Sequence, residues 1–117
     1  LIVAHVGIDL LEIERLERAL TRRPNLADRL FTPHERESCA SRRRPAQHLA
    51  ARFCAKEAVI KALRLDVAPW QEIEVQNGPE GAPVVKLSGT LSVHDGTVQV
   101  SLTHSGEWAG AVAIAGG

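Results

Sequence analysis

A chain of 117 residues with 14 basic and 14 acidic side chains has no net charge to draw it onto nucleic acid or a membrane, so a charged partner must be met by a local cluster. The length fits one domain over residues 1–117, with one core and with some apolar surface left for another subunit to cover. Two cysteines without metal-type spacing, Cys39 and Cys54, and an apolar opening interrupted by His5 and Asp9 well short of a signal or membrane span, predict a reducing, cytoplasmic setting.

Residues 1–8 are rich in Ile and Val and predict a buried strand that stops at Asp9. Asp9 is expected to open a helix as its N-cap, with Glu12 three residues on and Leu10, Ile13, Leu16 and Leu20 at helical spacing. The opposite face carries Arg15, Arg18, Arg22 and Arg23. Crowded toward the C-terminal end, these arginines either compensate the helix dipole or form a surface for an acidic partner. Pro24 ends the helix, and residues 25–31 predict a short helical turn. Thr32-Pro33-His34-Glu35 is a helix start, with Thr32 as N-cap, Pro33 at the first position and Glu35 completing a capping box. That helix runs down into the basic loop Arg42-Arg43-Arg44-Pro45, a solvated turn or a place for phosphate.

Residues 46–65 then predict one long helix, with no Gly or Pro inside it. Leu49, Phe53, Ile60 and Leu63 form its apolar stripe, bordered by Glu57 and Lys61. Lys56 points into the stripe and must find an anion or lose its charge. After Pro69 the period changes. Strands at 73–75 and 84–87 flank a Gly/Pro turn as a hairpin, residues 88–96 carry no single signature, and strands follow at 98–103 and 109–115. Helices grouped between strands with hairpin-like joins predict an α+β fold with a mainly antiparallel sheet.

Two carboxylates stand off the free solvent faces. Asp9 reads as a helix cap and Glu57 as an i,i+4 partner of Lys61; if the two converge, they form a hard, oxygen-lined Mg²⁺ site. Arg52, Lys56, Lys61 and Arg64 share the helix with Glu57, a local cationic excess suited to a polyphosphate. His104 ends a strand, either structurally or within reach of a site. Nucleophile-elbow, Walker, zinc-finger and dinucleotide patterns are absent from the sequence, which argues against most hydrolase, NTPase and dehydrogenase readings.

Val6-Gly7-Ile8-Asp9-Leu10, Phe31-Thr32-Pro33-His34-Glu35, Leu49-Ala50-Ala51-Arg52-Phe53-Cys54-Ala55-Lys56-Glu57-Ala58 and Val100-Ser101-Leu102-Thr103-His104-Ser105 resemble, in order and spacing, the holo-acyl-carrier-protein synthases. These are small phosphopantetheinyl transferases, and the likeness runs over nearly the whole chain. It implies a homotrimer with interfacial active sites, Mg²⁺ and coenzyme A. By that resemblance Asp9 and Glu57 hold the metal, and Glu57, Lys61 and Asp9 form the catalytic set. Arg43, Arg44, Arg52, Lys56, Lys61, Gly81, Pro83, His104 and Ser105 fall on positions for coenzyme A, and Arg15, Arg18, Arg22 and Arg23 on the face that docks an acyl carrier protein. The implied reaction moves 4′-phosphopantetheine from coenzyme A to a carrier serine in fatty-acid or polyketide synthesis, with Glu57, a metal-bound water or His104 taking the serine proton. No nucleic acid or membrane partner is expected. The rival reading is a non-catalytic relative that holds a nucleotide or nucleic acid on the basic loop. The sequence departs from many relatives in three places. Glycine is missing after the long helix at Leu63-Arg64-Leu65-Asp66, the polar or basic character often seen beside the nucleotide is missing at Glu80 and Ala82, and the segment 88–97 is short where a helix is common.

Overall fold

The computed structural model describes residues 4–116, so the expected strand start at Leu1, Ile2 and Val3 lies outside the described residues. In chain order the elements are β1 (His5–Glu12), α1 (Ile13–Arg22), α2 (Leu26–Leu30), α3 (Pro33–Ala40), α4 (Pro45–Leu63), β2 (Ile73–Asn77), β3 (Pro83–Leu87), β4 (Val98–Ser105) and β5 (Trp108–Ala115). Single 3₁₀ segments occupy Trp70–Glu72 and Gly89–His94. One sheet has the order β1-β5-β4, β2 and β3 form a separate hairpin, and every pairing is antiparallel, as an α+β fold requires. No described helix is long and apolar enough to cross a membrane.

The first strand is longer than its sequence signal. Asp9 sits in mid-strand opposite Ala111, and α1 begins only at Ile13, so Asp9 is not a helix cap. The helical spacing of Leu10 with Ile13 and Leu16 is fortuitous, because pairing with β5 continues through Glu12 opposite Trp108. Strand alternation sorts β1 into two rows. Val6, Ile8 and Leu10 point outward and stay exposed, while Gly7 and Asp9 face α4. A β-carbon on Gly7 would lie 2.0 Å from the carbonyl oxygen of Ala58, so only glycine lets the helix backbone approach this closely.

That approach explains which face of α4 is deepest. The buried positions are mostly small, among them Ala50, Ala51, Cys54, Ala55, Ala58 and Ala62, whereas the expected stripe of Leu49, Phe53, Ile60 and Leu63 is only partly buried. A period argument weighs side-chain size and so picked the wrong face. Contact with a sheet at glycine range demands small side chains instead. The helix then closes in a Schellman motif, with Leu65 N donating to Ile60 O at 3.0 Å and Arg64 N to Lys61 O at 3.2 Å. Arg64 takes the left-handed conformation there, φ 56° and ψ 45°, so the turn expected to be lost without glycine is made by an arginine.

The capping box of α3 forms as its sequence predicts. Glu35 N donates to Thr32 Oγ1 at 3.2 Å and Thr32 N donates to Glu35 Oε1 at 2.9 Å. Residues 88–96 are also not bare: the 3₁₀ segment Gly89–His94 packs Leu91 into the core, in the place where a helix had been thought missing.

Candidate functional site

Two separate constellations emerge, both hung on α4. The first is a corner between α4 and β1. Glycine at position 7 brings the strand against the helix, and two residues on, the same row aims Asp9 toward Glu57 and Lys61. Lys61 Nζ donates to Ile8 O at 2.8 Å and reaches Asp9 Oδ1 at 3.4 Å. The lysine thus leans to the strand, not along its own helix toward Glu57. Burial raises the pKa of Glu57 above the usual glutamate range, the nearby Asp9 charge raises it further, and Lys61 opposes both. Cys54, fully buried one turn back, has its thiol pushed up to about 12, first by burial and then by Asp9. Among the described residues no three His, Cys, Asp or Glu side chains converge, so a cation at this corner has two protein carboxylates at most.

The second constellation is a cavity of about 280 Å³ at the other side of α4. Arg42, His48, Arg52 and His104 supply its polar wall, and the hairpin turn adds Asn77, Gly81 and Pro83. Arg52 is only 6% exposed, its Nε has no partner, and its one hydrogen bond, from Nη1 to His48 O, is long at 3.4 Å. A buried guanidinium with unspent donors asks for an anion. The rings of His48 and His104 meet edge to face with centroids 6.2 Å apart. Leu102 and Thr103 line both this cavity and an apolar groove of about 330 Å³ that runs past Asp9 along Ile8, Leu10 and Val112.

Of the nine positions expected to hold coenzyme A, the cavity gathers Arg52, Gly81, Pro83 and His104. Lys61 belongs to the corner. Lys56 is a correction: it is 0% exposed and its Nζ is committed to Glu35 Oε1 at 2.5 Å, Leu30 O at 2.8 Å and Trp70 O at 2.9 Å, above the ring of Phe31. The anion its position demanded is a protein carboxylate. Arg44 is another correction, since its fork is held by Glu17 at 2.8 Å and Glu107 at 3.2 Å, which raises its pKa further. Arg43 and Ser105 are exposed and do not line the cavity. The basic loop contributes Arg42 in their place. His48 was missed, although it precedes Arg52 by four residues and so had to share its face of the helix. On α1, Arg15, Arg18, Arg22 and the following Arg23 are all exposed; Arg18 pairs with Glu14 at 3.5 Å.

Comparison with known proteins points one way. The family profile of the 4′-phosphopantetheinyl transferase superfamily matches residues 5–113. The holo-[acyl-carrier-protein] synthase of Moorella thermoacetica is 45% identical over 117 residues, covering 92% of this chain and 90% of that protein. The acyl carrier protein synthase of Mycobacterium tuberculosis superposes with a TM-score of 0.73 at 42% identity, over 97% of this chain and 96% of that one. The holo-(acyl-carrier-protein) synthase of Bacillus anthracis, solved in complex with CoA (3′,5′-ADP), superposes with a TM-score of 0.81 at 30% identity, over 99% and 98%.

Proposed function

From a chain that belongs to the 4′-phosphopantetheinyl transferase superfamily, and within it to the holo-acyl-carrier-protein synthases, we infer one function. The enzyme transfers 4′-phosphopantetheine from coenzyme A to a serine of apo acyl carrier protein. The serine oxygen bonds to the phosphorus that carries pantetheine, the bond from that phosphorus to the bridging oxygen breaks, and adenosine 3′,5′-bisphosphate leaves with the electron pair. The observation that carries the reading onto residues is the pairing of an acidic corner with a cationic cavity around a single helix. An anion-binding module has no use for a desolvated carboxylate pair, which repels its ligand.

The corner fits Mg²⁺. The Asp9 charge raises the proton affinity of Glu57, an arrangement a divalent cation relieves, and Mg²⁺ keeps waters and substrate phosphates for its other positions. Asp9 and Glu57 would hold the ion, which when bound neutralises diphosphate oxygens. Lys61, already pointed at this corner, stabilises charge on the leaving phosphate. Glu57 takes the serine proton, directly or through water. Arg52 and His104, with Gly81 and Pro83 from the hairpin turn, take the nucleotide end of coenzyme A.

The outward row Val6, Ile8 and Leu10, 65–69% exposed and joined by Ile114 of β5, is an apolar sheet face fit for self-association. A trimer in which one subunit's corner faces its neighbour's cavity accounts for two half-sites that share no titratable residue. Mixing two inactive variants, Glu57→Gln and Arg52→Gln, tests this: mixed oligomers recover transfer if sites are interfacial and stay inert if each subunit carries a whole site. The exposed arginines of α1, beside an apolar groove between Leu20 and Leu49, suit the acidic surface of a carrier protein. Free, buried Cys39 and Cys54 are in keeping with a cytoplasmic enzyme of fatty-acid synthesis acting as one domain. Incubation with coenzyme A, Mg²⁺ and an apo carrier, read by mass, tests the whole assignment. A carrier without the phosphopantetheine increment would overturn it.

A further inference from the structure

The cationic cavity contains more proton chemistry than the reaction uses. Its charged and titratable lining is all of one sign: Arg52 from the same helix as His48, Arg42 from the loop before it, and His104 from β4; the hairpin turn contributes only uncharged residues. Among the described residues no carboxylate lines it. His48 is packed edge-on against His104, and both line the same cavity as Arg52. An imidazole hemmed in by two guanidiniums and a second imidazole has every reason to stay neutral while the cavity is empty. Burial, Arg42, Arg52 and His104, in that order, hold its pKa below the ordinary histidine value.

We propose that His48 is a proton-coupled specificity residue of this cavity: it takes a proton from solvent as a phosphate monoester enters, and then donates a charge-assisted hydrogen bond to it. The inference rests on the reading that this cavity takes the nucleotide end of coenzyme A. The two arginines that disfavour the imidazolium in the empty cavity are neutralised by a dianion, so the same geometry that keeps His48 neutral makes it bind a proton when the ligand arrives. Binding therefore draws a proton from solution. Ligands bearing the phosphate monoester gain this contact; ligands lacking it leave His48 neutral and lose both the bond and the proton. His104 is the orienting neighbour of His48.

The test is calorimetric titration of the full chain with adenosine 3′,5′-bisphosphate between pH 6.5 and 8.5, in buffers of differing ionisation heat. Wild-type protein is expected to take up a fraction of a proton, most at pH 6.5, and its affinity to fall several-fold from pH 6.5 to 8.5. His48→Gln should bind as wild type at pH 8.5 but show a flat profile and no uptake. His104→Gln should bind more weakly throughout and keep the slope. Coenzyme A lacking its 3′-phosphate, which keeps only the diphosphate bridge and no monoester, should show neither slope nor uptake. The wild-type imidazole resonance of His48, followed by nitrogen-edited NMR with and without ligand, gives a reading that needs no variant and should move up by about one unit on binding. A His48→Gln protein that retains the wild-type slope, or a His48 resonance that titrates alike in both states, overturns the proposal. Absence of any binding of the bisphosphate to wild type would instead overturn the nucleotide reading of the cavity.

Discussion

Replacing Lys56 by methionine separates the two roles that this lysine can have. The ammonium lies at 0% exposure with Glu35, Leu30 O and Trp70 O as its partners, and the Glu35 carboxylate is likewise 0% exposed. Methionine fills the volume, so the cost is electrostatic. Glu35 keeps the N–H groups of Thr32 at 2.9 Å and Val75 at 2.7 Å but becomes a buried charge without its counterion. Breaking a buried pair from one side costs about 3–5 kcal/mol, a large part of the roughly 5–15 kcal/mol that stabilises a domain. At about 4 °C per kcal/mol the melting temperature should fall by roughly 12–20 °C. Adding Glu35→Gln removes the stranded charge, so the double variant should melt above Lys56→Met alone, and the full cycle with the Glu35→Gln single variant should show about 1–3 kcal/mol of coupling. Assayed well below its melting point, Lys56→Met should keep its KM for coenzyme A within about twofold, since the side chain never reaches the cavity. A wild-type melt together with a tenfold rise in that KM would refute the reasoning and return the lysine to the diphosphate.

Other substitutions address the corner and its supports. Gly7→Ala forces a carbon to within 2.0 Å of a helix carbonyl, so α4 must retreat; stability should fall by about 1–3 kcal/mol, and transfer by about 10²-fold as Glu57 parts from Asp9, measured by melting and by initial rates. Glu57→Gln should abolish transfer and Mg²⁺-dependent stabilisation, yet raise the melting temperature of the metal-free protein. Because the folded carboxyl is the weaker acid, its contribution to stability is full below the ordinary value of about 4.5 and is lost as pH rises through the folded pKa; the glutamine variant should lack that decline in a pH series of melts. Arg64→Gly should stabilise the fold by about 0.5–1 kcal/mol in urea titrations, relief of a left-handed non-glycine outweighing the freer unfolded chain. Arg15→Glu should raise the KM for carrier protein far more than that for coenzyme A; equal rises would remove α1 from docking.

Much of the fold was legible because its signals are local. The Thr32 capping box, the 73–87 hairpin and the last two strands each declare themselves within a few residues, and the structure forms them. The errors share one cause: they concern contacts between segments distant in sequence. Asp9 has every local mark of a helix cap, and only its pairing with Ala111 makes it a strand residue. Glu35 was recognised as a cap and Lys56 as a cation short of an anion, but 21 residues of chain hid the fact that each answers the other. In the candidate site, Arg52 and His104 were found by motif, whereas His48 needed the helix wheel to be applied to polar residues as well as apolar ones.

The alternation of β1 has a last consequence, for how this strand can change over generations. Its odd positions, Gly7 and Asp9, form the contact with the helix and the acidic corner; its even positions, Val6, Ile8 and Leu10, form the outer apolar face. Inserting or deleting one residue exchanges the two rows at once, sending a carboxylate into the apolar face and an isoleucine against the Ala58 carbonyl. Point substitutions can drift on either row, but the length of the strand cannot. The acidic corner and the outer apolar face are thereby inherited as one trait, tied together by nothing more than counting in twos.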